Sequence, residues 1–253
     1  MMTSTVQRRA DALAAGVFLG VPMSGFDRAG RHQLILLLMA GLEPTSKVVD
    51  LGCGVLRGGY WLIHFLDAGC YHGVEPHAGR LQTGLDRILE PGTRAAKQPR
   101  FVTDVNFDTS AFAETFDFFL AYSIWTHASK RQIETMLDCF LRDSSGDGVF
   151  LTSILPATWR RRDYRDDRWV GTSHESDAPG CIHHSLSWIR RVCRQRHLSV
   201  RLLGRELDGQ SWLLISRDPR RTLLFRSIWL PSFWRRVQRS IGRRLATSGG
   251  PAM

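Results

Sequence analysis

A short apolar run that ends in a glycine-rich turn is the feature that most constrains the fold of this chain. Residues 48–54 read Val-Val-Asp-Leu-Gly-Cys-Gly. β-Branched residues before the turn favour a buried strand, and the glycines at 52 and 54 permit a tight turn with close access to the backbone. Ligands of open α/β sheets bind where such strands end. The run therefore predicts a buried strand followed by a ligand-binding turn.

Strands and helices alternate along the chain. The residue pattern predicts strands at 48–51, 71–75, 100–104, 116–122, 148–153, 198–203 and 210–216, and helices at 31–42, 59–68, 78–89, 130–141 and 185–196. Most of these strands are apolar on both faces, which is typical of a parallel sheet covered on both sides. The sequence thus predicts an α/β fold: a Rossmann-like, doubly wound, mostly parallel seven-stranded sheet with helices on both faces.

Carboxylates end three successive predicted strands. Asp50 precedes the first glycine by two residues, Glu75 follows Gly54 by 21 residues, and Asp104 ends the third strand. A nicotinamide or flavin fingerprint would place a third glycine where this chain has Arg57, and an acid at position 50 would repel a pyrophosphate. That acid suits a cationic amino group instead. Glu75 could accept hydrogen bonds from ribose hydroxyls, and Asp104 could accept one from an adenine amino group.

This arrangement resembles the class I S-adenosylmethionine-dependent methyltransferase family. The pattern of that family is a hydrophobic strand, Asp/Glu-x-Gly-x-Gly, a ribose acid on the next strand and an adenine acid on the third. The runs at 52–59, 71–76, 123–127 and 209–212 look like one bacterial subgroup of small-molecule-type methyltransferase domains. The resemblance spans residues 30–216 and implies S-adenosyl-L-methionine as the cofactor.

The resemblance implies roles for individual positions. Asp50, Gly52 and Gly54 would hold the methionine end of the cofactor. Glu75 would hold the ribose and Asp104 the adenine. The other expected cofactor-binding residues are neighbours of these motifs, with Cys53 interpreted as packing and not as chemistry: Cys53, Arg57, Pro76, Val105, Ala121 and Ser123.

Methyl transfer requires an aligned nucleophile, and an oxygen or nitrogen acceptor can also need a general base. His127 follows the fourth predicted strand and is the candidate catalytic residue. The alternative is that His127 caps the next helix or packs on Trp125. Further histidines and a cysteine lie at 174, 181 and 183, but their spacing matches no established zinc pattern, so no metal is predicted.

We expect three parts in the chain. Residues 1–46 form an N-terminal helical segment that covers the cofactor site, and residues 47–216 form the Rossmann-like domain. Within that domain, residues 156–184 are a polar, lid-like insertion, whose arginines at 160–162 either bind an acidic substrate group or form a solvated face. Residues 217–253 form a basic tail rich in tryptophan and arginine.

The positive charge is concentrated in that tail. The chain carries a formal charge of +10, of which nine arginines and one aspartate within 217–244 contribute +8. Aromatic residues interleaved with arginines suit an anionic membrane surface, and the same segment could pack on the body of the protein or mediate self-association. Nucleic acid is the less favoured partner because the rest of the chain is close to neutral.

The compartment is expected to be reducing. The five cysteines are odd in number and scattered, without a Cys-x-x-Cys pair, which is typical of a protein that forms no disulfides. No apolar run reaches the roughly 18 residues needed to span a bilayer. We therefore expect a cytoplasmic protein, with peripheral membrane contact as the option that the tail adds.

These observations predict S-adenosylmethionine-dependent methyl transfer to a small-molecule or glycan-precursor acceptor, at oxygen or nitrogen, by in-line displacement. Two alternatives stay open: an RNA methyltransferase, and a non-catalytic cofactor-binding adaptor that acts through its basic tail. The fourth strand is followed by Ser-Ile-Trp-Thr at 123–126. This is not the Asn/Asp-Pro-Pro-Tyr/Phe motif used on exocyclic amines, which disfavours the first alternative.

Overall fold

A twisted sheet of seven strands organises the molecule, whose computed structural model describes residues 4–16, 25–172, 176–205 and 209–224. The strand order is β3-β2-β1-β4-β5-β7-β6. β1 to β5 are parallel, and β7 lies antiparallel between β5 and β6. The strands are Val48–Leu51 (β1), Tyr71–Val74 (β2), Arg100–Val102 (β3), Phe116–Ala121 (β4), Ser144–Ile154 (β5), Ser199–Arg205 (β6) and Ser211–Ser216 (β7).

Helices cover both faces of the sheet. They are Thr5–Leu13 (α1), Phe26–Met39 (α2), Gly59–Phe65 (α3), Ala78–Thr83 (α4), Thr93–Lys97 (α5), Lys130–Asp143 (α6), Leu186–Gln195 (α7) and Pro219–Leu224 (α8). Because side chains of a strand alternate between faces, β4 contributes to two hydrophobic cores. Phe119 packs with residues of α6 and α7, whereas Phe118 packs with residues of α2 and α3.

The predicted fold class is confirmed, and all seven predicted strands are present. The differences are local. α2 begins at Phe26 instead of residue 31, with Asp27 in its first turn paired to Arg31. The helix predicted at 78–89 changes after Thr83 into a π-helical turn, Gly84–Ile88. There a side chain at Gly84 would lie 2.8 Å from the backbone of Val55.

The N-terminal helices pack against the turn that follows β1. Val6 and Ala10 of α1 are buried in a small core that includes Val55 of this turn. α2 crosses the same segment at Gly30, where a Cβ atom would lie 2.1 Å from the carbonyl oxygen of Arg57. The missing side chain therefore allows the helix to approach the backbone closely.

α8 lies within the segment predicted as a basic tail. Arg201 of β6 donates a hydrogen bond to the carbonyl of Thr222 at 2.9 Å, so the first residues of the tail pack on the sheet. Residues 225–253, which include most of the tail, lie outside the described residues. Among the helices that the structure describes, none is long and apolar enough to cross a bilayer.

We predict that Gly30→Ala destabilises the protein, although alanine is the better helix former by about 1 kcal/mol. The new methyl group would collide with the Arg57 carbonyl, and overpacking of this kind typically costs about 1–3 kcal/mol. Urea unfolding measures the change. Gly146→Ala is the matched control, since nothing lies within 4 Å of a Cβ atom at that position. Equal stability of the two variants would contradict the close approach of α2.

Candidate active site

A cavity of about 500 Å³ opens at the carboxyl ends of β1, β2 and β4. The turn after β1 forms one wall, and Gln33 of α2 reaches the cavity from the N-terminal segment. The opposite wall comes from the insertion after β5, which contributes Trp169, Gly171 and Cys181. The cavity therefore lies where ligands bind in open α/β sheets.

The two glycines of the turn after β1 serve different purposes. Gly52 and Gly54 have φ values of +75° and +57°, which favour glycine. A Cβ atom on Gly52 would lie 2.1 Å from Cδ1 of Ile124, so this position is closely packed. A Cβ atom on Gly54 would have only the Gly52 carbonyl oxygen near it, at 4.0 Å. A ligand can therefore approach the backbone at Gly54.

Asp50 is a buried carboxylate at the cavity wall, with 3% of its surface exposed. The hydroxyl of Tyr71, on the neighbouring strand, donates a hydrogen bond to Asp50 Oδ2 at 2.8 Å. Burial raises the pKa of Asp50 to about 7. The Tyr71 hydrogen bond opposes this shift, and the nearby charge of Glu75 adds to it. A cation beside Asp50 would favour its ionised form.

Glu75 connects the ends of β1 and β2. Its carboxylate accepts hydrogen bonds from the backbone N–H groups of Gly54, at 2.8 Å, and His77, at 3.0 Å. The side chain is 4% exposed and lines the cavity. Burial raises the pKa of Glu75, and the two backbone hydrogen bonds oppose the shift. Glu75 thus holds the glycine turn in place while it borders the cavity.

Most of the residues expected from the sequence line this cavity. They are Asp50, Gly52, Cys53, Gly54, Arg57, Glu75, Pro76, Ser123 and His127. Arg57 also places its guanidinium over the Phe26 ring, 5.6 Å from the centroid. The expected residues that follow β1, β2 and β4 therefore meet in one place.

Three expected residues lie outside the lining of the cavity. Ala121 is fully buried in the core, and Val105 is exposed to solvent. The carboxylate of Asp104 accepts hydrogen bonds from the backbone N–H groups of Asn106 and Asp108, at 2.8 and 3.0 Å. Asp104 therefore stabilises its own turn, a role that a strand-end position in the sequence does not distinguish from ligand binding.

The ring of His127 is hydrogen-bonded to the backbone of the insertion, at Val170 and at Gly180. Its Nδ1 lies 2.6 Å from the carbonyl oxygen of Val170. Since a carbonyl can only accept, Nδ1 carries the proton in the neutral ring and Nε2 is the basic nitrogen. Burial lowers the pKa of His127. The ring stacks on Trp169 at a centroid distance of 5.6 Å.

The alternative roles considered for His127 do not match its surroundings. Ser129, and not His127, caps α6, through a capping box with Gln132. Trp125 is buried in the core, where its indole N–H donates to the sulfur of Met136 at 3.3 Å. The ring of His127 instead borders the cavity between the sheet and the insertion.

Backbone hydrogen bonds fix the insertion against the segment after β4. The N–H of Val170 donates to the carbonyl of His127 at 3.0 Å, and the N–H of Ile182 donates to the carbonyl of Thr126 at 2.8 Å. Cys181 Sγ lies 4.0 Å from His127 Nε2.

Position 174 lies outside the described residues. Within the described ranges, no group of three His, Cys, Asp or Glu side chains could hold a metal ion.

Several cavity residues were not expected from the sequence. Gln210, at the start of β7, accepts a hydrogen bond from Ser153 at 2.7 Å, and Ser153 in turn accepts one from the N–H of Ser123 at 2.8 Å. Gln210 belongs to the run 209–212, which resembles the methyltransferase subgroup, and this resemblance could have indicated Gln210 as a site residue. Phe107 and Trp169 carried no sequence signal, because only folding places the loop after β3 against the insertion, where their rings stack at 5.8 Å.

This chain is similar to known proteins in its fold. No protein-family model matches this chain, and no curated protein matches it either. Solved structures do match. Magnesium protoporphyrin IX methyltransferase (ChlM) from Synechocystis PCC 6803 with bound SAH covers 85% of this chain with 95% of its own length, at 14% identity and a TM-score of 0.56. The chain has the class I methyltransferase fold.

Two further methyltransferase-type structures support the same conclusion. The DhpI–SAH complex covers 85% of this chain with 94% of its own length, at 14% identity and a TM-score of 0.55. The methyltransferase domain of bacterial CtHen1 covers 76% of this chain with 97% of its own length, at 17% identity and a TM-score of 0.51. At these identities the likeness establishes the class I methyltransferase fold, and the site must be argued from this chain's own residues.

We predict that Asp50→Asn stabilises the protein without ligand at pH 8. Burial raises the pKa of Asp50 from 3.8 in the unfolded chain to about 7. The carboxylate therefore lowers stability progressively as the pH rises between these values. A neutral amide avoids this penalty and retains an acceptor for the Tyr71 hydroxyl. We expect a gain on the order of 2–4 kcal/mol at pH 8, measured by thermal or urea unfolding.

The gain should disappear at about pH 3, where the wild-type carboxyl group is largely protonated in both states. Asp86→Asn is the control, because Asp86 is exposed and pairs only locally with Gln82. We expect that variant to unfold like the wild type at both pH values. If Asp50→Asn is less stable than the wild type at pH 8, Asp50 is a structural group and not one that carries a charge for a ligand.

Proposed function

We propose that this chain is an S-adenosylmethionine-dependent methyltransferase that acts on a small-molecule acceptor at oxygen or nitrogen. The observation that supports this most strongly is the pair of buried carboxylates, Asp50 and Glu75, on either side of the open backbone at Gly54. Burial raises the pKa of both carboxyl groups, and buried acids with raised pKa values at the wall of a cavity are typical of a functional site. The pair borders the cavity at the carboxyl ends of β1 and β2, where open α/β sheets bind ligands, and this position supports the proposal.

The chemistry of these residues fits the cofactor. S-Adenosylmethionine carries a cationic amino group, two ribose hydroxyls and a sulfonium, and no phosphate. Asp50 would accept from the amino group, since a buried carboxylate gains most from a cationic partner. Glu75 would accept from the ribose hydroxyls while it keeps its two backbone hydrogen bonds. The open face of Gly54 would allow the ligand to contact the main chain.

When bound, the cofactor supplies an electrophilic methyl group. The protein then has to position an acceptor and exclude water. The aromatic wall of Phe107 and Trp169, both almost fully buried, limits the access of water to the cavity. His127 Nε2 is the basic atom on this wall, and we propose that it takes the proton of a hydroxyl or amine acceptor.

Arg80 is a further residue that lines the cavity. Its guanidinium donates to the carbonyl of Thr172, in the insertion, at 3.2 Å. α4 is thereby connected to the insertion across the mouth of the cavity. We propose that this connection helps to keep the insertion over the bound ligands.

The two alternatives make different predictions in the same assays. An RNA methyltransferase would transfer label from S-adenosylmethionine to RNA and not to small molecules. A non-catalytic adaptor would bind the cofactor without turnover on any extract. Contact of residues 217–244 with an anionic membrane or with a second copy remains a prediction, as does a cytoplasmic location.

We predict that Asp50→Asn and Glu75→Gln each weaken S-adenosylmethionine binding by more than tenfold, about 1.4 kcal/mol. Each change removes a charge that faces the cofactor and leaves the shape of the side chain nearly unchanged. Isothermal titration with S-adenosylmethionine and S-adenosylhomocysteine measures the effect, with NAD as the negative control ligand. Wild-type affinity in both variants would contradict the assignment of the site.

Two matched variants accompany this titration. Asp86→Asn removes an exposed carboxylate outside the cavity and should bind within about twofold of the wild type. Asp104→Asn tests the adenine role that the sequence suggests. Because Asp104 caps its own turn outside the cavity lining, we expect it also to bind within about twofold. A loss of tenfold would restore the adenine role.

We predict that His127→Asn lowers the methyl-transfer rate by about 10²–10⁴-fold, the usual contribution of a general base. The amide can still donate to the Val170 carbonyl but has no basic nitrogen. Because burial lowers the pKa of His127 below 6.5, the wild-type rate should fall only below that pH, and the variant should lose this acidic limb. Formation of S-adenosylhomocysteine with an acceptor found by screening is the readout.

The affinity of His127→Asn for S-adenosylmethionine should remain within about threefold of the wild type, which separates a catalytic effect from damage to the cofactor site. If this variant turns over at the wild-type rate with an unchanged pH profile, the base assignment is wrong. The proposed cofactor site would stand in that case.

A further inference from the structure

An exposed tryptophan lies at the tip of a closed turn in the insertion. The N–H of Thr158 donates to the carbonyl of Arg161 at 2.8 Å, and the N–H of Arg161 donates back to the carbonyl of Thr158 at 3.2 Å. Trp159 and Arg160 occupy the tip between them. The indole of Trp159 is 84% exposed, whereas the next most exposed large apolar side chain among the described residues, Val105, is 43% exposed.

The other tryptophans on the body behave differently. Trp125, Trp169, Trp188 and Trp212 are all buried, and Trp61 is partly buried. An indole left in water forfeits a large burial gain, because aromatic side chains bury about 150–250 Å² each. Its position on a hydrogen-bonded turn indicates that the exposed ring is held in place and is not a result of fraying.

Positively charged residues follow this ring in the sequence. Arg160, Arg161 and Arg162 follow it directly, and no acid lies within 158–162. The Arg160 guanidinium lies over the indole, 4.4 Å from the centroid, and Arg161 contacts His183 at 3.2 Å. Burial and the charge of Arg161 lower the pKa of His183, which favours the neutral ring, so His183 does not offset the charge of the arginines. In the described part of the chain, none of these three arginines forms an ion pair.

The nearest acid is already engaged. Asp163 pairs with Lys130 at 2.5 Å and accepts the N–H of Ser185 at 2.8 Å. Asp166 and Asp167 are exposed and lie next to Arg165 and Arg168 in the sequence. The charges after residue 162 therefore largely offset each other, and the unopposed charge is that of the tip.

The turn is joined to the body near the cavity. The N–H of Ala157 donates to the carbonyl of His184 at 2.9 Å, and the N–H of His184 donates to the carbonyl of Leu155, a residue that lines the cavity. The buried ring of His184 contacts the carbonyl of Ala128 at 3.0 Å. The tip is thus a fixed projection from the same edge of the sheet as the mouth of the cavity.

From this combination we infer that the Trp159 turn, residues 158–162, is a docking surface for an anionic lipid bilayer. The indole would insert among the headgroups, where tryptophan is enriched at membrane interfaces, and the arginines would contact lipid phosphates. This inference does not depend on the proposed reaction, and the docked turn would orient the cavity mouth toward the membrane.

Lipid fits this surface better than nucleic acid does. Single-stranded nucleic acid is bound by aromatic faces on which bases stack, and one face of the Trp159 indole is covered by the Arg160 guanidinium. A ring paired with a guanidinium is apolar at one end and cationic at the other, which suits the boundary between acyl chains and headgroups.

Flotation of the full chain with vesicles tests the inference. We expect binding to phosphatidylcholine vesicles in which about one lipid in three is phosphatidylglycerol, and little binding to phosphatidylcholine alone. Trp159→Ala should reduce binding by about tenfold or more, through lost apolar burial. The double change Arg160→Glu with Arg162→Glu should reduce it by more than about tenfold, since each arginine near the surface contributes about fivefold. Both variants alter only exposed side chains and should unfold like the wild type.

The control is Arg87→Glu with Arg94→Glu, which makes the same change in net charge at exposed arginines of the π-helical turn and α5. That variant should float like the wild type. A second readout is the quenching of tryptophan fluorescence by lipids with brominated acyl chains. With excitation at the red edge of indole absorption, this quenching should be weaker in Trp159→Phe than in the wild type. This readout detects insertion of the ring, whereas an effect of charge alone would leave it unchanged.

Three results would overturn the inference. The first is a wild-type chain that does not bind anionic vesicles. The second is a pair of turn variants that bind as tightly as the wild type or no more weakly than the Arg87/Arg94 control. The third is a pair of turn variants that retain vesicle binding and lose binding to a single-stranded RNA oligonucleotide, which would identify the turn as a nucleic-acid contact.

Discussion

The hydrogen bond from the Gly54 N–H to the Glu75 carboxylate is the interaction on which the site depends. It connects the turn after β1 to the end of β2 across 21 residues of sequence. The same carboxylate accepts from His77, so it also fixes the start of the next helix. The Glu75 carboxylate also borders the cavity, where it can accept further hydrogen bonds. One buried side chain therefore sets the shape of the turn and supplies the charge that the proposed cofactor needs.

Asp50 complements this arrangement at a cost in stability. Burial raises the pKa of Asp50 to about 7, the Tyr71 hydrogen bond moderates the shift, and the nearby charge of Glu75 further opposes the ionisation of Asp50. A cationic ligand would relieve that opposition. The site is thus arranged so that a group which weakens the empty protein becomes favourable when the proposed ligand is present, which is the usual relation between stability and function at such sites.

The insertion after β5 joins two features that are far apart in the chain. Its backbone is bonded to the segment after β4 through Val170 and Ile182, and it supplies Trp169 to the cavity wall. The same insertion carries the Trp159 turn on the outside. From the sequence, its arginines are expected to form a substrate-binding group or a solvated face, and the structure places the first of them, Arg160, over an exposed indole.

The sequence by itself determined the sheet and the core of the site. Apolar strands and glycines are local signals, so the residues 48–54 and the acid at 75 could be identified before any contact was known. Only the tertiary structure decided what depends on packing between distant segments. It placed Asp104 on its own turn, brought Tyr71 to Asp50, and assembled Phe107, Trp169 and Gln210 around the cavity. Such contacts join residues far apart in the chain, and periodicity and spacing carry no information about them.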